Sequence, residues 1–131
     1  MELITNKPYH TLWYSIPIIL LLAAFGFTHS FDLQLHDTYF VMSTFHLGIA
    51  GSIILAITGL LYWFVKSKVL INWMISVHVV VTIGTIVFLL FIGYNKTLLN
   101  FTSQVGVIVI ALFLVSQLIF IINLAVSLLR H

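Results

Sequence analysis

The chain has 131 residues, of which 62% are hydrophobic and only 6% are charged, with a formal net charge of +2. A soluble domain carries about 25% charged residues, and a small one buries only ~60–70% of the surface that its unfolded chain exposes, so a soluble globular enzyme is excluded, as is disorder. Five basic residues make no nucleic-acid patch, and the lack of cysteine excludes disulfides, iron–sulfur clusters and covalently attached c-type haem.

Four apolar runs are predicted to be transmembrane helices, at 9–28, 39–65, 69–93 and 101–129. Each run reaches the ~20 residues that cross a hydrocarbon core of ~30 Å, and helices are expected because backbone polar groups in lipid must bond within the segment. The first run is not followed by an A-x-A-like cleavage site, so we expect a span rather than a cleaved signal peptide. The sequence thus predicts one all-α membrane domain over 1–131, arranged as an up-down bundle or an arc.

The basic residues divide unevenly between the two predicted sides of the membrane. One side would hold Lys7, Lys66, Lys68 and Arg130, and the other side Lys96. Because cytoplasmic loops carry the excess of Lys and Arg, we place both termini in the cytoplasm. We expect an integral protein of a bacterial inner (cytoplasmic) membrane, with the lipid bilayer as its surroundings.

Small residues form a stripe on the second predicted helix. Gly48, Ser52, Ala56 and Gly59 are spaced by four, four and three residues, which places them on one face. Such a stripe lets either a neighbouring helix or a flat cofactor approach the backbone closely. Spacing alone favours helix packing and leaves the cofactor as the alternative.

Polar side chains in the fourth predicted helix are interpreted as interhelical hydrogen-bonding groups. Ser116, Asn123 and Ser127 share one face, while Gln104 and Gln117 lie elsewhere. Side chains of these types bond across helices in membranes, so the pattern favours packing over a site.

His46 is the candidate cofactor ligand. It is expected about seven residues into the second predicted helix, or ~10 Å along the axis. An ionisable residue within a membrane is a functional candidate, and a neutral imidazole on an apolar helix is suited to be an axial ligand of haem iron. The alternative is a histidine hydrogen-bonded to a neighbouring helix.

His78, about ten residues into the third predicted helix, is not expected to share an iron with His46 in one chain. Measured from the turn at 66–68, the depths of the two histidines differ by ~15 Å. Two axial nitrogens lie only ~4 Å apart, which is twice a metal–nitrogen bond. We therefore interpret His78 as structural.

His36 and Asp37, with Asp32 nearby, allow two interpretations. One histidine and two carboxylates are ligands suited to a divalent cation. The same groups favour the start of a helix, where negative charge and side-chain oxygens stabilise free N–H groups. Spacing alone favours the helix cap.

The run from Ser30 to His46 reads SFDLQLHDTYFVMSTFH. It closely resembles the S-x-D-x-x-L-H-D-T-Y-[YF]-V-V-A-H-F-H segment that joins the ninth and tenth helices of subunit I of haem–copper oxidases. The following segments are similar to that family's tenth, eleventh and twelfth helices, at 48–64, 73–93, 100–106 and 116–123. The resemblance covers nearly the whole chain and implies a stand-alone version of the last four of twelve helices.

The resemblance implies that His46 ligates a low-spin haem of the b or a type. Gly48 and Ser52 of the small-residue stripe would then lie beside the cofactor. Thr44 stands where the family has the ligand of its oxygen-reducing haem, and the copper histidines belong to helices that this chain lacks. We therefore do not expect an enzyme. The family's magnesium pair is retained as His36 and Asp37. The resemblance therefore strengthens the interpretation of a cation at the extracytoplasmic end relative to that of a helix cap.

The resemblance also implies an assembly. The family's twelve helices form three arcs of four, and the second histidine of the low-spin haem comes from another arc. A homo-oligomer, dimer or trimer, would bring His46 of two protomers to equal depth, in keeping with closed symmetry. Our hypothesis is a bis-histidine haem between protomers for electron transfer, without an open position for oxygen. The alternatives are a non-catalytic accessory subunit of a respiratory oxidase complex without its own haem, and a haem carrier or sensor.

Overall fold

A computed structural model describes residues 7–35, 37–94 and 102–129. In chain order the elements are α1 Pro8–Phe25, β1 Ser30–Leu35, β2 Thr38–Ser43, α2 Thr44–Phe64, α3 Asn72–Tyr94 and α4 Thr102–Leu129. All four described helices are long and apolar enough to cross a membrane, which confirms the four predicted helical segments. Apart from the start of α2, their ends agree with the prediction to within three residues.

The predicted start of the second helix at residue 39 is wrong, because residues 38–43 form a strand. β2 pairs with β1 as an antiparallel hairpin, in a register from Ser30↔Ser43 to Leu35↔Thr38. Four of the six residues of β2 are aromatic or β-branched, types that favour strands. A short apolar run cannot be distinguished from a helix by its hydrophobicity, so hydrophobicity alone predicts one helix through both β2 and α2.

Ser43 fixes the start of α2 as its N-cap. The backbone N–H of Phe45 donates to the Ser43 hydroxyl oxygen at 3.3 Å, which satisfies one of the N–H groups that a helix leaves free at its start. The cap interpretation of Asp37 is therefore wrong. Asp37 lies in the turn of the hairpin, separated from Thr44 by the whole of β2.

The helices run up and down, with α1, α2 and α3 in mutual contact. α1 packs most extensively on α2, and α4 packs on α3. The main core draws on all four helices and contains Leu12, Ile19, Ala23, Leu55, Tyr62, Ile75, Val79, Ile86, Leu90 and Phe120. The molecule has two ends: the hairpin end, where β1 and β2 precede α2, and the basic-loop end, where residues 65–71 join α2 to α3.

Candidate functional site

His46 lies on the surface of the four-helix unit at its hairpin end. It is the third residue of α2, so it lies only ~3 Å along the axis from the first helical residue. The predicted depth of about seven residues is wrong because the helix begins at Thr44 instead of residue 39. The imidazole is exposed and contacts the Phe45 ring edge-on, with ring centroids 6.0 Å apart. It makes no hydrogen bond within the part of the chain that the structure describes.

The outer face of α2 extends from His46 towards the basic-loop end. This face consists of exposed residues spaced by four or three positions, namely His46, Ala50, Ile53, Ile57 and Leu60. That spacing places them on one side of a helix. Ile53 and Ile57 are each more than half exposed, at 54% and 53%. A second molecule that packs on this apolar face would therefore meet His46 at its hairpin end.

The small-residue stripe of α2 faces inward and is covered by α1. A Cβ added at Gly48 would lie 2.2 Å from the Cβ of Ala23, and one added at Gly59 would lie 2.4 Å from the Trp13 Nε1. Gly48 and Ser52 are both buried. The structure thus shows helix packing for this stripe, and the cofactor role of Gly48 and Ser52 stays a prediction.

His78 is fully buried and both its ring nitrogens have polar partners. Nε2 lies 3.4 Å from the Gln117 Oε1 and Nδ1 lies 3.1 Å from the Tyr62 hydroxyl. Since an amide oxygen only accepts, Nε2–H donates to Gln117 and the Tyr62 hydroxyl donates to Nδ1 in the neutral ring. The ring also stacks on Phe120 at 4.6 Å. These contacts agree with the structural interpretation of His78.

Polar side chains of α4 bond across helices as predicted. The Gln117 Nε2 donates to the Thr82 Oγ1 at 3.1 Å, and the hydroxyls of Thr82 and Ser116 lie 3.4 Å apart. Asn123 accepts from the backbone N–H of Ile71 at 2.9 Å and donates to its carbonyl at 3.3 Å. The prediction of interhelical bonds is confirmed for Ser116 and Gln117, whereas Asn123 bonds to the loop that precedes α3.

Ser127 differs from that prediction. Its hydroxyl, like that of Ser52, is buried and has no hydrogen-bond partner among the described residues. Ser127 therefore lacks a hydrogen-bond partner among the described residues although it shares a helical face with Asn123. The side chain of Gln104 lies outside the described residues.

Thr44, which stands in place of a haem ligand of the resembled family, is a buried packing residue. Its N–H and its hydroxyl both donate to the His29 carbonyl, at 3.0 and 3.1 Å. A Cβ added at Gly26 or at Gly93 would lie within 3 Å of the Thr44 side chain. Thr44 therefore joins the ends of α1 and α3 to the start of α2.

The predicted divalent-cation pair is only partly within the described residues. Asp37 is exposed in the hairpin turn, and His36 lies outside the described residues. Within 7–35, 37–94 and 102–129, no three His, Asp or Glu side chains gather in a group that could hold a metal. The magnesium site stays a prediction.

Tyr62 and Thr82 were not predicted as members of the polar network. Each lies on a different helix from its partner, and one sequence contains no signal that pairs residues across helices. For Tyr62, the sequence shows only a position near the end of an apolar run. That position is also typical of an aromatic residue at the membrane interface, so it does not indicate a hydrogen-bonding role.

Comparison with protein-family models, curated proteins and solved structures finds no match to this chain. Fold and side chains together define a four-helix unit with apolar outer faces and one exposed histidine at the start of α2. The resemblance to subunit I of haem–copper oxidases stays a prediction that depends on the quoted residues.

Proposed function

We propose that the chain is an integral membrane protein that binds haem between two protomers through His46 and serves in electron transfer. The observation that carries the proposal is the exposure of His46 on the outer face of α2, without a hydrogen bond to the described residues. A free imidazole nitrogen is what an axial ligand requires. The apolar neighbours Ile53 and Ile57 fit a large flat ring that avoids water.

Membrane insertion is supported by the apolar outer surface. Side chains such as Leu21, Phe64 and Leu118 are 61%, 69% and 58% exposed, which is unfavourable in water. Lys66 and Lys68 at the basic-loop end favour a cytoplasmic position for that end. His46 would then lie near the opposite surface of the membrane, which we propose to be a bacterial inner membrane.

His78 of the same chain cannot be the second ligand, because it is too far from His46. Helical rise places His46 about 27 Å from the end of α2 and His78 about 9 Å from the start of α3, so their depths differ by about 18 Å. Both nitrogens of His78 are also engaged, by Tyr62 and Gln117. A symmetric partner would supply its own His46 at equal depth.

The haem would supply a one-electron carrier when bound. In this account His46 holds the iron, and the outer face of α2 excludes water from the ring. Thr44 fixes the first turn of α2 through its bonds to the His29 carbonyl and so orients the neighbouring His46. If His46 of two protomers held the iron, no position would remain open for oxygen, so we expect no oxidase activity.

The test is the absorption spectrum of the purified, chemically reduced protein from haem-supplied cells. We expect bands of a low-spin haem in the wild type and their loss in His46→Ala. His29→Ala is the matched control, because His29 lies at the same end but contacts Thr28 and Tyr94. A wild type without haem, or equal haem in His46→Ala, would contradict the proposal, as would loss only in His29→Ala.

The second candidate is an accessory subunit of a respiratory complex without its own haem. α4 favours it, because exposed apolar residues lie on several of its sides, including Val107, Ile108, Leu112, Leu114 and Val115. Apolar side chains that the described helices leave exposed are expected to face lipid or another protein. Co-purification with an oxidase, together with a haem-free isolated chain, would favour this candidate over the first.

A further inference from the structure

A cleft of about 230 Å³ opens at the basic-loop end. Its lining comes from the start of α1, the end of α2, the connecting loop and the start of α3. The polar side chains of the lining are Tyr9, Tyr62, Lys66, Lys68 and Asn72. The cleft lies far from His46, which is at the opposite end of α2.

The cleft carries positive charge that the described residues do not balance. Lys66 and Lys68 lie two residues apart in the loop and both are exposed. The Lys66 ammonium lies 4.7 Å from the centroid of the Trp63 ring. This cation–π contact restricts the positions that the ammonium group adopts. Within the described ranges the acidic residues are Asp32 and Asp37, and both belong to the hairpin at the other end.

The donors around the cleft match a phosphate group. Ammonium groups make charge-assisted hydrogen bonds to phosphate oxygens, and the Tyr9 hydroxyl and the Asn72 amide can donate further bonds. Trp63 and Trp73, 39% and 61% exposed, are adjacent in sequence to the lining residues Tyr62 and Asn72. Tryptophan is enriched at the level of lipid headgroups, so the cleft lies where phosphates of a bilayer are found.

We propose that the cleft formed by Lys66, Lys68, Tyr9 and Asn72 binds a phosphate group, as carried by an anionic phospholipid headgroup or by free phosphate. The proposal requires the basic-loop end to lie at a membrane surface but does not require haem. It adds a ligand to two lysines whose only predicted role is to orient the chain. A haem-free protein would leave it intact.

The test measures lipid retention by native mass spectrometry of the full-length protein released from nanodiscs. Discs contain phosphatidylglycerol and phosphatidylcholine in equal amounts. We expect the wild type to retain phosphatidylglycerol preferentially, and the double variant Lys66→Gln/Lys68→Gln to lose that preference by roughly tenfold, the effect expected from losing charge-assisted bonds. The Lys7→Gln control removes a charge at the same end but outside the cleft lining, and should retain the preference.

Asn72→Leu separates the cleft from diffuse charge, because it alters the lining and leaves the net charge unchanged. We expect it to reduce phosphatidylglycerol retention while circular dichroism shows an unchanged helical content. Addition of millimolar inorganic phosphate distinguishes a lipid headgroup from free phosphate as the ligand. If phosphate displaces the lipid, the cleft binds free phosphate as well. If it does not, the cleft is specific for the headgroup. Equal retention of both lipids by the wild type, or an unchanged preference in the double variant or in Asn72→Leu, would overturn the proposal.

Discussion

The His78 imidazole joins three helices, since it bonds Tyr62 on α2 and Gln117 on α4 from its own position on α3. A buried polar group is costly when one of its partners is missing and rigidifies its surroundings when all are present. Here both nitrogens have partners, and Phe120 covers one face of the ring. The network therefore fixes how α3 and α4 sit against α2.

His78→Ala should lower the stability of the fold by about 2–4 kcal/mol, because it removes buried volume and leaves the Tyr62 hydroxyl and the Gln117 Oε1 without their partner. The measurement is the thermal midpoint of helix loss in detergent, followed by circular dichroism. Val77→Ala is the matched control, since Val77 is adjacent and faces outward at 36% exposure. Equal midpoints for the two variants would contradict a role of the network in stability.

The sequence singled out His46 and His78 as candidate residues, but it predicted neither the depth of His46 nor the partners of His78. Both stand out because ionisable residues are rare in apolar runs. The predicted depth of His46 was wrong because α2 starts at the cap Ser43. Ser43 lies inside a continuous apolar stretch, so the sequence pattern does not mark it as a helix start. The partners of His78 were out of reach, since they depend on how three helices pack.

The hairpin is the element that hydrophobicity could not predict. Residues 38–43 run without a break into the apolar helix α2, yet they pair with 30–35. Their aromatic and β-branched side chains favour a strand, and the length of the run favoured a helix. The strand agrees with local residue propensity. The starts and ends of α1, α3 and α4, by contrast, were predicted from length and apolarity alone.

Engineered cysteines test the hairpin in a chain that has none of its own. Asp32 and Val41 are paired across the strands, and paired residues have Cβ atoms ~4.5–5.5 Å apart on one face. Asp32→Cys/Val41→Cys should therefore form a disulfide on mild oxidation, seen as a mass loss of two hydrogens. Leu33→Cys/Val41→Cys places the thiols on opposite faces and should stay reduced. Equal oxidation of both pairs, or of neither, would contradict this register.

The α1–α2 interface depends on the close approach of Gly48 to Ala23. Gly48→Ala should destabilise the protein by about 1–3 kcal/mol, because overpacking forces the helices apart. Gly84→Ala is the matched control: no atom lies within 4 Å of the added methyl group, so it should be neutral or stabilise by up to about 1 kcal/mol. Thermal midpoints in detergent measure both. Ala23→Gly combined with Gly48→Ala should restore part of the loss, and its failure to do so would argue against this contact.

At the scale of the whole molecule, charge and apolarity are separated along the helices. Lys66 and Lys68 lie at one end, Asp32 and Asp37 at the other, and the outer faces between them are apolar. The number of helices and this polarity were predictable, because they depend on composition along the chain. The mutual contact of α1, α2 and α3, with α4 packed on α3, was not, because it depends on matched surfaces such as Gly48 with Ala23.

Two copies of His46 on one haem would set the ratio of haem to protein. The haem content of the purified protein, determined alongside its oligomeric mass by light scattering, measures this ratio. We expect a dimer with one haem for every two chains, and a haem-free protein of comparable helical content for His46→Ala. One haem per chain, or a wild type that assembles without haem, would overturn the proposed haem site.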